Sequence, residues 1–329
     1  MTIDTDFHLR KIIKENHGEG IRAVAFNPDE SNGHMVATAG GDLVSVYDNN
    51  HCGEGHLDLS CVFQNGRTEY ALGGEVTCLA WLAIDPLPHD WSSQAFLAFG
   101  SKSGEIGIVN MAETRVQTLL KAHASSVDSI CPIYSKPGYF LSCSAGDKAV
   151  RIWNAEHLVS EFSFSATSIA IKENKVVLGN ASGKVECFGL DGMVLQQTSL
   201  WCWRGTSRID CMDFIDDRHL AVHEISGKIH VLNVETGETV VSFAVPRGDS
   251  DKTAECQFGI SHCRDYLTCG NSAGEAFIFE IISGKRIGKL SMPRIKGAVK
   301  AAKFAPQSKS VLIATDDSFL WRWDNIVFP

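Results

Sequence analysis

Residues 141–154 read LSCSAGDKAVRIWN. A β-rich run, Leu141 to Ser144, climbs to a turn made of Ala145, Gly146 and Asp147, and a second run returns to Trp153 and Asn154. Glycine and aspartate tolerate the backbone angles of a tight turn, so the stretch is expected to be a hairpin whose second strand ends on an aromatic residue followed by a polar one. The same grammar recurs in VATAGGDLVSVYD ending at Asp48, LAFGSKSGEIGIVN at Asn110, VVLGNASGKVECFG at Gly189 and LAVHEISGKIHVLN at Asn233. It recurs again in LTCGNSAGEAFIFE at Glu280 and LIATDDSFLWRWD at Asp324. The seven ends are spaced 62, 44, 35, 44, 47 and 44 residues apart. Most hairpins follow a further β-rich run: IRAVAF, EVTCLAW, SVDSICPI, ATSIAI, RIDCMDF, AECQFGI and AVKAAKF. Small residues recur in these runs, as the narrow end of a wedge around a channel requires.

A period near 40–45 residues with about four strands per unit is that of WD-type propeller blades. The expected fold is therefore all-β, a seven-bladed WD40 β-propeller occupying residues 1–329 as one domain. The seventh unit lacks an outer strand, while FHLRKIIKE, residues 7–15, precedes the first and has strand character. Pairing the two closes the ring, removes two exposed sheet edges and leaves no tail at either end.

Composition narrows the function classes. Hydrophobic residues make up 44% of the 329 positions and charged residues 21%, ample for a core. The net charge of −9 disfavours global attraction to nucleic acid or to anionic membrane and favours a basic partner such as a histone tail. Eleven cysteines without a CxxC pair are expected to be reduced thiols in a cytosolic or nuclear protein. MTIDTDFHLRKII does not read as a secretory signal, and no run reaches about 18 apolar residues. The basic run Arg294, Lys296, Lys300 and Lys303 reads as a solvated strand face.

Signatures of catalysis are missing. The SGK triplets lack the spacing of a phosphate-binding loop, and no GxSxG, HExxH or kinase set occurs. HCGEGH, residues 51–56, offers His51, Cys52 and His56 to a metal but no fourth ligand nearby, so no metal or other cofactor is expected. SLWCWRGTSRID, residues 199–210, reads as a loop between the fourth and fifth blades. It clusters Trp201, Trp203, Arg204 and Arg208, residue types enriched in binding hot spots. The alternative is that one or both indoles cover the side of the fourth blade.

The third blade resembles the full WD-repeat pattern, which implies that His123, Asp147 and Trp153 join a strand hydroxyl, from Ser142 or Ser144, in a buried network that locks the blade. Beyond that pattern, GAVKAAKFAPQSKSVLIATDDSFLWRWDNI resembles the last blade of the extra sex combs / EED family, the propeller subunit of Polycomb repressive complex 2. HGEGIRAVAFN with VATAGGDLVSVYD resembles that family's first blade, EVTCLAW its second and SRIDCMDFIDDRHLA its fifth. The propeller of the origin-recognition-associated protein with leucine-rich and WD repeats is similar as well, although a leucine-rich segment is missing here.

The resemblance implies a nuclear scaffold in a chromatin complex that reads trimethyl-lysine in an aromatic cage at the channel mouth. The positions that would carry the cage are Arg22 in IRAVAF, Val76 or Thr77 in EVTCLAW, and Cys256-Gln257 in AECQFGI, with Phe258 turned to the opposite face. The aromatics are thus lost and one is a cation, which repels a methylammonium. Arg22, Thr77 and Gln257 remain candidates for contacting a partner at the mouth, Arg22 through an acidic or phosphorylated ligand. Two function classes fit: a Polycomb-like chromatin scaffold in the nucleus, or a WD40 adaptor in RNA processing or ubiquitin ligation with a cytoplasmic location.

Overall fold

The computed structural model describes residues 7–16, 19–29, 31–51, 56–83, 95–247, 255–306 and 309–326. They form seven antiparallel sheets arranged as the blades of a propeller, each running outward from an inner strand. Blade 1 consists of Ile21–Phe26, Met35–Gly40, Leu43–His51 and His56–Gln64. In blade 2 the two middle strands, Phe96–Ser101 and Glu105–Asn110, are buried at every position. Strands covered on both faces read as continuous rather than alternating apolar runs, which is why the hairpins stand out in the sequence. Outer strands alternate, as Thr239–Ala244 of blade 5 does, because one face meets solvent.

The hairpin turns share one backbone device. Gly104, Gly183, Gly227 and Gly274 have φ between 81° and 89° just before the third strand of blades 2, 4, 5 and 6. A Cβ on Gly104 would lie 2.1 Å from the His123 carbonyl oxygen, so no other residue fits there. Lys148 in blade 3 and Ser318 in blade 7 take the same left-handed conformation.

The ring closes through His8–Lys14, which pairs antiparallel with Phe319–Asp324 as the outer strand of blade 7. Ile12 lies opposite Trp321 and Leu9 opposite Trp323. The joint to blade 1 is polar. Arg322, 3% exposed, donates to the Asn49 carbonyl at 2.7 Å and to its side-chain oxygen at 2.9 Å. Lys11 donates to Asp58 at 2.8 Å and to the Leu57 carbonyl. The buried Glu15 carboxylate accepts from Thr38 at 2.5 Å and Tyr47 at 2.7 Å. Burial first, and the Glu15 charge second, drive the Tyr47 hydroxyl far above its usual pKa.

Three expectations are corrected. Residues 199–210 are not a loop throughout: Trp201–Arg204 is an outer strand paired with Lys184–Asp191, the third strand of blade 4. The short piece Val194–Leu195 covers the other end of the same strand. Blade 6 has only Gly259–Ile260 as an inner strand, because the preceding backbone bonds blade 7 instead. Gln257 donates its N–H to Lys300 at 2.8 Å and accepts from Ala302 at 2.9 Å. The basic run is not a solvated strand face either, since Lys303 donates to the Phe258 carbonyl at 2.6 Å and Lys300 lines the channel. Cys52 lies outside the described residues, as does most of HCGEGH. The ten cysteines among the described residues are all free thiols, and no helix there is long and apolar enough to cross a membrane.

Candidate functional site

The site begins with a defect repeated in five of the seven inner strands. In Ile21–Phe26 the ladder skips Arg22, pairing Ile21 with Gly40 and Ala23 with Ala39. The same one-residue shift omits Thr77, Thr167, Asp210 and Lys300 in blades 2, 4, 5 and 7. A β-bulge leaves one residue out of the ladder and re-aims its side chain. Asp128 in blade 3 and Gln257 in blade 6 hold the corresponding places just before their short inner strands. All seven line one cavity of about 530 Å³ on the propeller axis. A shared pattern marks them in the sequence: each stands between a small or branched apolar residue, or a cysteine, and the rest of the strand, as in IRA, VTC, IDC and VKA. This signal was legible and points to Asp128, Thr167, Asp210 and Lys300, which the family comparison of cage positions passes over.

Most of these side chains also fasten one blade to another. Thr77 donates to the Val127 carbonyl of blade 3 at 2.6 Å, and Thr167 to the Ile209 carbonyl of blade 5 at 2.6 Å. Arg22 pairs at 2.5 Å with Glu75, which also takes Lys102 at 3.0 Å. Arg22 is therefore engaged within the protein and is not presented alone to an acidic ligand. Asp210 accepts the Cys256 N–H at 2.8 Å with one oxygen and meets His223 Nδ1 at 2.7 Å with the other. Burial alone would lower the His223 pKa, but the Asp210 carboxylate outweighs it and raises it.

The cavity lining carries five carboxylates, from Glu19, Asp128, Asp210, Glu255 and Asp316, against the cations of Arg22, Arg208 and Lys300. Arg208 lies between Glu255 at 2.8 Å and Asp128 at 3.8 Å. Burial is the leading cause that lifts the Asp128 carboxyl above its usual range. No aromatic residue is among the described lining residues. Val76 is fully buried and Phe258 is 1% exposed, so Thr77 and Gln257 are the residues that face the cavity.

The remaining candidates separate from the mouth. Trp201 is buried and donates to the Val234 carbonyl of blade 5 at 2.6 Å. Trp203 donates to Thr239 at 2.9 Å and packs 4.7 Å from the His230 ring, while Arg204 is exposed. The indoles thus cover the side of blades 4 and 5, and only Arg208 of that cluster reaches the cavity. In blade 3, Trp153 donates to Ser142 at 2.9 Å, Ser142 meets His123 Nε2 at 2.7 Å, and His123 Nδ1 lies 3.0 Å from Asp147. The Ser144 hydroxyl is buried without a partner.

Comparison with known proteins agrees with this architecture. The WD domain, G-beta repeat model matches residues 113–154, the outer strand of blade 2 through the third strand of blade 3. The chain is 22% identical to Polycomb group protein FIE2 of Zea mays across 95% of its own length and 90% of that protein. It is 20% identical to Polycomb group protein FIE1 of Oryza sativa subsp. japonica, across 73% of this chain and 74% of the relative. With Polycomb group protein FIE1 of Zea mays it shares 20% identity over 71% of this chain, spanning 59% of that protein. The protein is a WD-repeat propeller with distant similarity to plant Polycomb group proteins.

Proposed function

We propose that this propeller is a non-catalytic scaffold subunit of a nuclear chromatin complex of the Polycomb type, and that it does not read methyl-lysine through an aromatic cage. The observation that carries the scaffold reading is the reach of the similarity to maize FIE2, which spans 95% of the chain and so all seven blades. The cage reading is supported by the mouth itself, where Arg22, Thr77 and Gln257, the residues that the family resemblance aligns with cage positions, line a cavity with no aromatic among its described lining residues. Trimethylammonium gains about 0.5–2 kcal/mol over an aromatic face, and a carboxamide, a hydroxyl and a paired guanidinium supply no such face. The excess of carboxylates leaves the mouth suited to the unmodified cations of a basic histone tail.

The test has two arms. Gentle purification of the tagged endogenous protein is expected to recover a histone methyltransferase subunit; recovery of one stable RNA-processing or ubiquitin-ligase complex instead would transfer the fold to the adaptor reading. Titration with trimethylated and unmodified histone-tail peptides is expected to give equal affinities within about twofold. Micromolar binding that requires the methyl groups would overturn the loss of the cage.

A further inference from the structure

Residues 65–75 join the outer strand of blade 1 to the inner strand of blade 2 and end at the channel mouth, where Glu75 pairs with Arg22. The segment is held from below by Glu105, a third-strand residue of blade 2 that is 2% exposed. Its carboxylate accepts the Leu72 N–H at 2.9 and 3.0 Å and the Gly73 N–H at 3.1 Å. Gly73 has a φ of 66° and a Cβ there would fall 2.6 Å from the Arg67 nitrogen, so the bend accepts only glycine. Asn65 closes the base, accepting the Gly74 N–H at 2.8 Å through its carbonyl and donating its side-chain amide to the Gly74 carbonyl at 2.9 Å. The Thr68 hydroxyl accepts the N–H groups of Tyr70 and Ala71 at 3.2 and 3.0 Å.

On this fixed backbone Tyr70 is 77% exposed and Leu72 is 58% exposed. Here a buried carboxylate orders the backbone while the two apolar side chains face solvent, on a segment that ends at Glu75 and its pair with Arg22 of the acidic cavity lining. Such a loop is ordered before contact, so binding does not incur the entropy of ordering it. Tyrosine is also among the residues most enriched at binding hot spots.

We propose that residues 65–75 form one wall of a peptide-binding surface on the mouth face. Tyr70 and Leu72 take an apolar residue of an extended basic peptide, and a cationic side chain of that peptide reaches the mouth carboxylates. The charge of the occupant follows from the five carboxylates against three cations at the mouth and from the net charge of −9. The inference rests on the reading of the mouth as a partner-binding face, and adds the apolar half of the recognition.

The probe is a fluorescein-labelled decapeptide of glycine and serine carrying one leucine flanked by arginines, titrated with the full chain by fluorescence anisotropy. Tyr70→Ser/Leu72→Ser, both surface changes, is expected to weaken binding by about tenfold, as does leucine-to-serine in the peptide, with little further loss when the two are combined. Glu105→Gln is expected to weaken binding severalfold and to raise hydrogen exchange at residues 72 and 73, the mark of a positioning role. Absence of binding at millimolar peptide, indifference to the Tyr70/Leu72 change, or equal affinity when glutamates replace the arginines would each overturn the proposal. The same double variant, tagged and purified, keeps the two readings apart. Recovery of the chromatin complex alongside an unaltered peptide affinity sinks this surface and leaves the scaffold standing.

Discussion

A single hydroxyl organises blade 3. Ser142 accepts from Trp153 and donates to His123 Nε2, which leaves Nδ1 to donate to Asp147, a chain that requires neutral histidine. Ser142→Ala leaves two buried nitrogens unpartnered, at about 1–3 kcal/mol each, so the urea midpoint is expected to fall by an amount worth about 2–6 kcal/mol. Ser144→Ala, whose hydroxyl has no partner, is expected to shift the midpoint hardly at all. Burial lowers the His123 pKa despite the opposing Asp147 charge. At this site the folded state therefore binds fewer protons than the unfolded one, and the contribution of His123 to stability is expected to be full above about 6.5 and to decline as pH falls below it, against the opposite contribution of His223. Melting temperatures between pH 5 and 7.5 check this, and His123→Gln is expected to flatten the slope. The network was legible because its residue types sit at the spacing of a WD repeat. Ser142 and Ser144 were not separable, since residues two apart share one strand face.

At the scale of the strand, what the sequence concealed was pairing that departs from regular alternation. The bulge residues interrupt the ladder by one position, and period-two reading carries no information about which position is skipped. Blade 4 misled for a related reason. Its outer position is filled in two pieces, Val194–Leu195 and Trp201–Arg204, so the second piece reads as part of a connecting loop. The signal available lay in blade 5: Gly237, with a φ of 73°, would place a Cβ 2.6 Å from the Trp201 ring. Trp201 is thus a wedge between blades, and Trp201→Ala is expected to cost about 3–5 kcal/mol by denaturant unfolding. Trp203→Ala, with its ring half-buried and its N–H on a side-chain hydroxyl, is expected to cost less than half as much. Equal losses, or a partner lost without any loss of stability, would return the pair to a binding role.

Across the whole molecule, the seven hairpins and their period made the propeller legible, because the middle strands of most blades are buried on both faces. The ring also has a seam. Six of the seven sheets are built from strands consecutive in sequence, whereas blade 7 joins residues 8–14 to residues 299–324. Its polar fasteners, Arg322 on Asn49, Lys11 on Asp58 and Glu15 on Thr38 and Tyr47, all bridge blade 7 or its lead-out to blade 1. Deleting residues 1–14 exposes the edge of Phe319–Asp324, with Trp321 and Trp323 in its ladder, and an unpaired edge recruits another chain. The truncated chain is expected to melt at a lower temperature and to populate dimers or larger species in light scattering behind size exclusion. Adding a peptide of residues 7–16 in trans is expected to restore the monomer. Arg322→Met separates the two contributions at the seam. It keeps the apolar burial but strands the Asn49 oxygens, so it is expected to lower stability by about 1–3 kcal/mol without any change in association state. If the truncation melted like the intact chain and stayed monomeric, closure by the first strand would not be what holds the ring.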